Sequence, residues 1–176
     1  SVERFNAECK LIRQHPTPVC PSAALPDKGS YLARIAAGNP IVATRGEDGS
    51  VRAFINACRH RGMQVAAGNG CTRAFSCPYH GWTYGLDGSL KGIPGQSGFP
   101  TLNRDQHGLK EVSATELGGI IYVQQEGDMD PALLSDALDY FSGSQVLFDQ
   151  QVLTDCANWK LLYETLMEGY HIKSLH

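Results

Sequence analysis

From Tyr31 onward the apolar positions come in short runs separated by turn signals. Tyr31–Ala36, Ile41–Thr44 and Val51–Ile55 predict strands, with turns at Gly38-Asn39-Pro40 and Glu47-Asp48-Gly49. Ala74–Ser76, Trp82–Tyr84, Ser89–Leu90, Lys110–Ala114 and Ile120–Val123 continue the series, and Leu86-Asp87-Gly88 predicts a tight hairpin turn. Residues 93–108 mix Gly, Pro, Ser and Asn without a period and predict a long surface loop. The pattern is helical at both ends of the chain. Residues 1–16 predict a helix that stops at His15-Pro16. Asp130 as cap and Pro131 in the first position predict a short helix to Tyr140, and Gln151–Thr154 predicts a strand. Asn158 to about His171 predicts a helix, with Leu161, Leu162, Leu166 and Tyr170 at helical spacing. The expected fold class is mainly β: an antiparallel β domain with two loops that bear candidate ligands, flanked by helical segments. No internal repeat or low-complexity tract interrupts it.

Composition narrows the classes. A chain of 176 residues has room for one medium domain, or one domain and part of another. Its 19 glycines and nine prolines agree with a turn-rich β fold. A net charge of −3 argues against non-specific nucleic-acid binding through a basic face. The longest apolar run, Ile120-Ile121-Tyr122-Val123, is the size of a strand, so no membrane association is expected. Ser1-Val2-Glu3-Arg4 has no apolar signal region and no initiator Met, so a trimmed start and a cytoplasmic location are expected. The six cysteines (9, 20, 58, 71, 77 and 156) are expected as metal ligands or buried thiols, since a disulfide framework suits small secreted chains.

The chemistry concentrates in Cys58-Arg59-His60 and Cys77-Pro78-Tyr79-His80, a C-x-H-x16-C-x2-H pattern. Each half is expected in a loop or at a hairpin tip. Two thiolates on one iron and two imidazoles on the other describe a two-iron, two-sulfide cluster in which His replaces two of the four Cys. Zinc is the rival, because two Cys and two His also make a tetrahedral structural site. The mixed pairs count against it, since zinc fingers pair Cys with Cys and His with His. Four unrelated core residues explain the short, recurring spacing poorly. Cys71 lies near these loops in sequence and is expected to be buried beside them. Cys9, Cys20 and Cys156 are expected to be buried or free thiols, and His15 and His107 to be isolated surface or hydrogen-bonding residues.

Asn56-Ala57-Cys58-Arg59-His60-Arg61-Gly62 and Cys77-Pro78-Tyr79-His80-Gly81-Trp82-Thr83-Tyr84 resemble the Rieske domain of Rieske non-heme iron oxygenases, the ring-hydroxylating and demethylating family. The likeness continues through Leu86-Asp87-Gly88-Ser89-Leu90 and covers roughly residues 17–127. The resemblance implies a Rieske-type β domain holding a [2Fe–2S] cluster on Cys58, His60, Cys77 and His80. High-potential Rieske proteins of respiratory complexes have a disulfide between the loops and a Ser after the second His-Gly. Met63, Tyr79 and Trp82 stand at those places here, so the disulfide and that hydroxyl donor are absent. Hydrogen bonds to the cluster raise its potential, so a potential at the low end, roughly −150 to 0 mV, is expected.

The C-terminal segment, Asn158 to His176, carries a second constellation. On a helix Glu164, Glu168 and His171 share one face, which by itself reads as a solvated face. His171 and His176 are five apart, about 500° of rotation, which leaves them roughly 140° apart. They meet one metal only if the helix is distorted or ends between them. The segment resembles the same oxygenase family, in which Asn-Trp-Lys precedes Asp-x-x-His-x4-His. The resemblance implies that His171 and His176 bind a mononuclear Fe(II), completed by a later carboxylate as a facial triad. It further implies that Glu168, where the family has Asp, connects His80 of a neighbouring subunit to His171. Some members acting on quaternary ammonium compounds such as carnitine share this Glu. Thr165 stands where Asn is common, so no role is carried over to it.

No Asp or Glu follows His176. The chain is therefore expected to be the N-terminal part of a longer α subunit, inactive by itself. The expected organisation is an N-terminal segment (1–16), a Rieske domain (17–127) and the start of a catalytic domain (128–176). The resemblance implies an oxygenase fed by NAD(P)H through a reductase or ferredoxin, acting with O2 on a small organic molecule as a homotrimer. A Rieske ferredoxin that only carries electrons, and a zinc-stabilised interaction module, are the alternatives. The first leaves Asn158–His176 unexplained.

Overall fold

The computed structural model describes residues 1–141, 143–149, 158–170 and 172. Among them the order is α1 (Val2–Arg13), β1 (Thr17–Pro21), β2 (Ser30–Ala36), β3 (Asn39–Arg45), β4 (Val51–Ile55), β5 (Asn69–Cys71), β6 (Ala74–Ser76), β7 (Thr83–Gly85), β8 (Leu90–Gly92), β9 (Glu111–Leu117), β10 (Ile120–Gln124) and α2 (Trp159–Met167). The strands form a large sheet in the order β1-β10-β9-β4-β3-β2-β5 and a small one in the order β6-β7-β8. The described strand pairings are antiparallel. The mainly antiparallel β fold is the expected one.

The centre of the large sheet is buried on both faces, and alternation along its strands sorts residues between two cores. Ile41 and Ala43 of β3 face one side with Ala53 of β4, Leu25, Ile121 and Val123. Val42 and Phe54 face the other side, against Tyr84, Leu86, Leu90 and Trp82 of the small-sheet layer. Cys58 and Cys77 belong to this second core. The candidate site is thus rooted between the two sheets rather than attached to an outer surface.

Two turns share one device. In Asp48-Gly49-Ser50 and Asp87-Gly88-Ser89 the Asp Oδ1 accepts from the Ser N–H and hydroxyl, while Oδ2 pairs with a base four residues on, Arg52 or Lys91. Gly88 has φ +77°, and a Cβ there would lie 2.4 Å from the Phe54 ring. Only glycine lets β7 turn into β8 so close to the core.

Several expectations need correction. The apolar pattern predicts neither β1 nor β5: β1 holds Pro18 and Pro21, and β5 is three exposed residues without apolar alternation. Both sit at sheet edges, where proline and weak patterning are tolerated. Pro40 is not in a turn; it pairs with Ile35, and the chain reverses at Ala37-Gly38. The helix expected to Tyr140 is a single 3₁₀ turn, Pro131–Leu134. Beyond it the Tyr140 and Phe141 N–H groups donate to Gly118 O in the β9–β10 turn, a tertiary contact that replaces helical bonds. The strand expected at 151–154 lies outside the described residues.

Arg45 links distant parts of the large sheet. Its guanidinium donates to both Glu116 carboxylate oxygens (3.0 and 2.9 Å), to Leu25 O and to Gly49 O. The hydrogen bonds from Arg45 hold the Glu116 carboxyl below its ordinary range, with burial opposing. A depressed folded pKa contributes stability that is present above the unfolded carboxylate value and is lost as pH falls through the folded one. Glu116→Gln is therefore expected to flatten the acid limb of the melting temperature against pH. Because the pair is partly exposed, its loss at pH 7 should be under about 1 kcal/mol.

Candidate metal centre

The two ligand loops close by the same pair of hydrogen bonds. In the loop after β4, Cys58 N–H donates to Met63 O (2.8 Å) and Gly62 N–H donates to Cys58 O (2.8 Å). In the turn between β6 and β7, Cys77 N–H donates to Trp82 O (2.8 Å) and Gly81 N–H donates to Cys77 O (2.9 Å). Each loop starts at a Cys and is closed by a glycine four residues later, at φ +75° for Gly62 and +72° for Gly81. C-x-H-x-G and C-x-x-H-G are thus two fillings of one loop, with the His shifted by one place.

Each loop is also anchored at its base. The Asn56 side chain is buried; its Oδ1 accepts from Val65 N–H (2.9 Å) and Ala66 N–H (3.1 Å), and its Nδ2 donates to Ala66 O (2.8 Å). It joins the end of β4 to the far limb of the first loop. Tyr84, on β7 and 0% exposed, reaches from the second loop to the first. Its hydroxyl lies 3.2 Å from Cys58 Sγ and accepts from Arg59 N–H at 3.0 Å. With its oxygen already accepting, its proton is free for the sulfur. Burial, then the Cys58 thiol, push the Tyr84 hydroxyl well above the usual phenol range, so it stays a donor; Cys77 adds in the same direction.

The thiols and imidazoles occupy different environments. Cys58 and Cys77 are buried in the core, His60 is half-buried and His80 is exposed. The imidazole centroids are 4.6 Å apart. His60 Nδ1 is buried and has no hydrogen-bond partner. Leaving a buried nitrogen unpaired costs about 1–3 kcal/mol, so it is suited to bind something. Among the described residues no three His, Cys, Asp or Glu side chains gather around one ion. Two inner thiols and two outer imidazoles instead suit a two-iron cluster, in which each iron takes two protein ligands and two sulfides.

The remaining predicted positions sort as follows. Met63 and Tyr79 are exposed, and Tyr79 stacks on His80 with centroids 3.8 Å apart. Trp82 is buried and stacks on His60 at 5.0 Å. Cys71 is not buried beside the site: it is exposed, on edge strand β5, with Sγ 3.6 Å from Lys28 O. Cys20 is buried in the other core, away from Cys58 and Cys77, and burial pushes its thiol up to about 11. Cys9 is half-buried and Cys156 lies outside the described residues. His15 and His107 each bond a carbonyl four residues back, to Leu11 O and Asn103 O. Glu168 does not share the helical face of Glu164. α2 ends at Met167, ahead of Gly169, and Glu168 is extended with its carboxylate accepting from Tyr170 N–H (3.0 Å). His171 and His176 lie outside the described residues.

Three residues that shape the site carried no signal of their own. Asn56 and Tyr84 lie within the two ligand motifs, and neither residue type marks a ligand there. Phe99 lay in the unpatterned stretch 93–108, yet its ring stands edge-on to both His60 (6.1 Å) and Trp82 (5.7 Å).

Comparison with known proteins agrees with this arrangement. The Rieske [2Fe-2S] domain family matches residues 15–103. The glycine betaine monooxygenase oxygenase subunit of Chromohalobacter salexigens is 36% identical over 160 residues, covering 86% of this chain and 36% of that protein. The large oxygenase component of the Pseudomonas putida naphthalene 1,2-dioxygenase system is 33% identical, covering 86% and 37%. Among solved structures, a quaternary ammonium Rieske monooxygenase superposes with a TM-score of 0.70 at 28% identity, covering 74% of this chain and 36% of that one. The chain spans a little over a third of the length of these relatives.

Tyr84→Phe is expected to keep iron and sulfide but lower the midpoint potential. A differential of about 1 kcal/mol for one lost hydrogen bond corresponds to roughly 40 mV for one electron. Protein-film voltammetry on the loaded protein checks it. Asn56→Ala, which strands three backbone groups of the first loop, should cost about 2–3 kcal/mol in urea unfolding.

Proposed function

We propose, for a chain that belongs to the Rieske [2Fe-2S] domain family and whose relatives are oxygenase subunits, that it is the electron-receiving part of a Rieske non-heme iron oxygenase. The reading rests above all on the paired loops: two buried thiols, two outer imidazoles, and a buried His60 Nδ1 with no protein partner. Cys58 and Cys77 would hold one iron, His60 and His80 the other. A bound cluster supplies one-electron redox chemistry. Tyr84 steadies the charge on the Cys58 sulfur by donating its hydroxyl proton. The core around the thiols excludes water from the inner side, while exposed His80 offers the outer edge to a partner.

The electrons would come from NAD(P)H through a reductase or ferredoxin. His171 and His176, with a carboxylate from elsewhere in the subunit, would hold a mononuclear Fe(II), since two imidazoles and one carboxylate suit that ion. The product would be a hydroxylated or demethylated small organic molecule. Glu168 would link His80 of one subunit to His171 of the next in a trimer. Its exposure and its extended backbone just past α2 support a role across an interface. The related quaternary ammonium monooxygenase oxidises carnitine and transfers electrons between subunits. Glu168, with the resemblance to the glycine betaine enzyme, favours a quaternary ammonium substrate over an aromatic ring. A match covering 86% of the chain, beyond residues 15–103, favours the oxygenase over a simple electron carrier.

Metal and sulfide analysis tests the centre. The purified chain should be red-brown with two iron and two acid-labile sulfides, and Cys58→Ser should lose both. A colourless protein holding one zinc would reject the reading. In the complete oxygenase, Glu168→Ala should leave the cluster spectrum intact and reduce coupled turnover by at least tenfold. Unchanged turnover would remove the bridging role.

A further inference from the structure

The two outer imidazoles are held unequally. His60 lies almost parallel to the Trp82 indole, with centroids 5.0 Å apart and an interplanar angle of 8°. Phe99 stands perpendicular to both, 6.1 Å from His60 at 88° and 5.7 Å from Trp82 at 84°. Trp82 is 2% exposed and packs in the core that also contains Cys58 and Cys77. Two aromatic rings set at right angles therefore cover one face and one edge of His60. His80 has no such cover: it is exposed, and its stacked neighbour Tyr79 is itself 54% exposed.

We propose that Trp82 and Phe99 are positioning residues that clamp the His60 ring and keep water from its side of the centre, leaving His80 as the adaptable imidazole. A buried indole lying flat on an imidazole resists rotation of that ring, because any tilt costs stacking contact on a side that cannot relax. Phe99 closes the direction in which Trp82 alone would leave a gap. The indole and phenyl faces turned to the ring carry no hydrogen-bond donor, and they exclude water that would supply one. Added negative charge on reduction is then less well solvated on the His60 side, and this lowers the potential. The role falls to residues that bind nothing: Trp82 follows the second loop, and Phe99 comes from the stretch between β8 and β9.

The inference rests on the ligand assignment proposed above, and the experiment separates the two. Iron and sulfide are counted first in the cluster-loaded chain and in Trp82→Leu, Trp82→Phe and Phe99→Ala. The nitrogen couplings of the reduced centre are then resolved by pulsed electron paramagnetic resonance, and the potential is measured. Trp82→Leu should broaden the coupling of one imidazole nitrogen at least twofold and leave the other unchanged. It should also shift the reduction equilibrium upward by about three- to tenfold, roughly 30–60 mV for one electron. Phe99→Ala, the milder change, should act on the same nitrogen in the same direction, and Trp82→Phe should restore most of the narrow coupling. Tyr79→Leu should affect the other nitrogen. Both nitrogens unchanged, both broadened alike, or Tyr79→Leu acting on the same nitrogen as Trp82→Leu would each overturn the clamp while leaving the cluster reading intact. A wild-type chain without iron and sulfide would overturn both.

Discussion

The hydroxyl of Tyr84 is the hydrogen-bonding group that ties the two ligand loops together, beside the ring contacts of His60 with His80 and Trp82. The loops leave different sheets and share no strand pairing. One buried oxygen accepts from Arg59 in the first loop while its own ring is fixed on β7, the strand that leaves the second. The same oxygen lies 3.2 Å from the Cys58 sulfur. The core between the sheets, with Phe54 and Leu90 packed around the same ring system, keeps displacements of one sheet against the other small.

Much of this was legible in the sequence, and the reasons differ by element. The central strands were readable because turn signals such as Asp48-Gly49 bracket short apolar runs, and Ile41–Thr44 fills two cores at once. The ligand candidates were readable because Cys and His at short, repeated spacing have few other uses. What was not readable depends on tertiary contact. Strands β1 and β5 exist because β10 and β2 offer them an edge, a fact absent from Thr17–Pro21 and Asn69–Cys71 themselves. The helix expected to Tyr140 loses to carbonyl contacts with Gly118. Cys71 lies close to the loops in sequence but lies on the outer edge strand in space.

The hydroxyl donor shows how a residue-for-residue reading can mislead. The place after the second His-Gly holds Trp82, which has no hydroxyl. The donor enters two residues later, from Tyr84, and acts on a cysteine sulfur of the other loop. Polar and apolar influences on the centre are thereby divided. The inner thiol receives the hydrogen bond, and the outer His60 receives aromatic cover.

Gly81 does more than close a turn. A Cβ on it would come within 2.9 Å of Pro94, so the missing side chain is the space into which the stretch after β8 is pressed. That stretch goes on to deliver Phe99. The cluster edge is therefore built by three segments, of which the third has neither ligand nor regular pattern. Under the proposed clamp, lengthening or shortening it would move Phe99 against His60 with all four candidate ligands untouched. Because both ligand loops are closed by their own hydrogen bonds, the proposed clamp makes this stretch a handle on electron affinity that leaves the ligands in place.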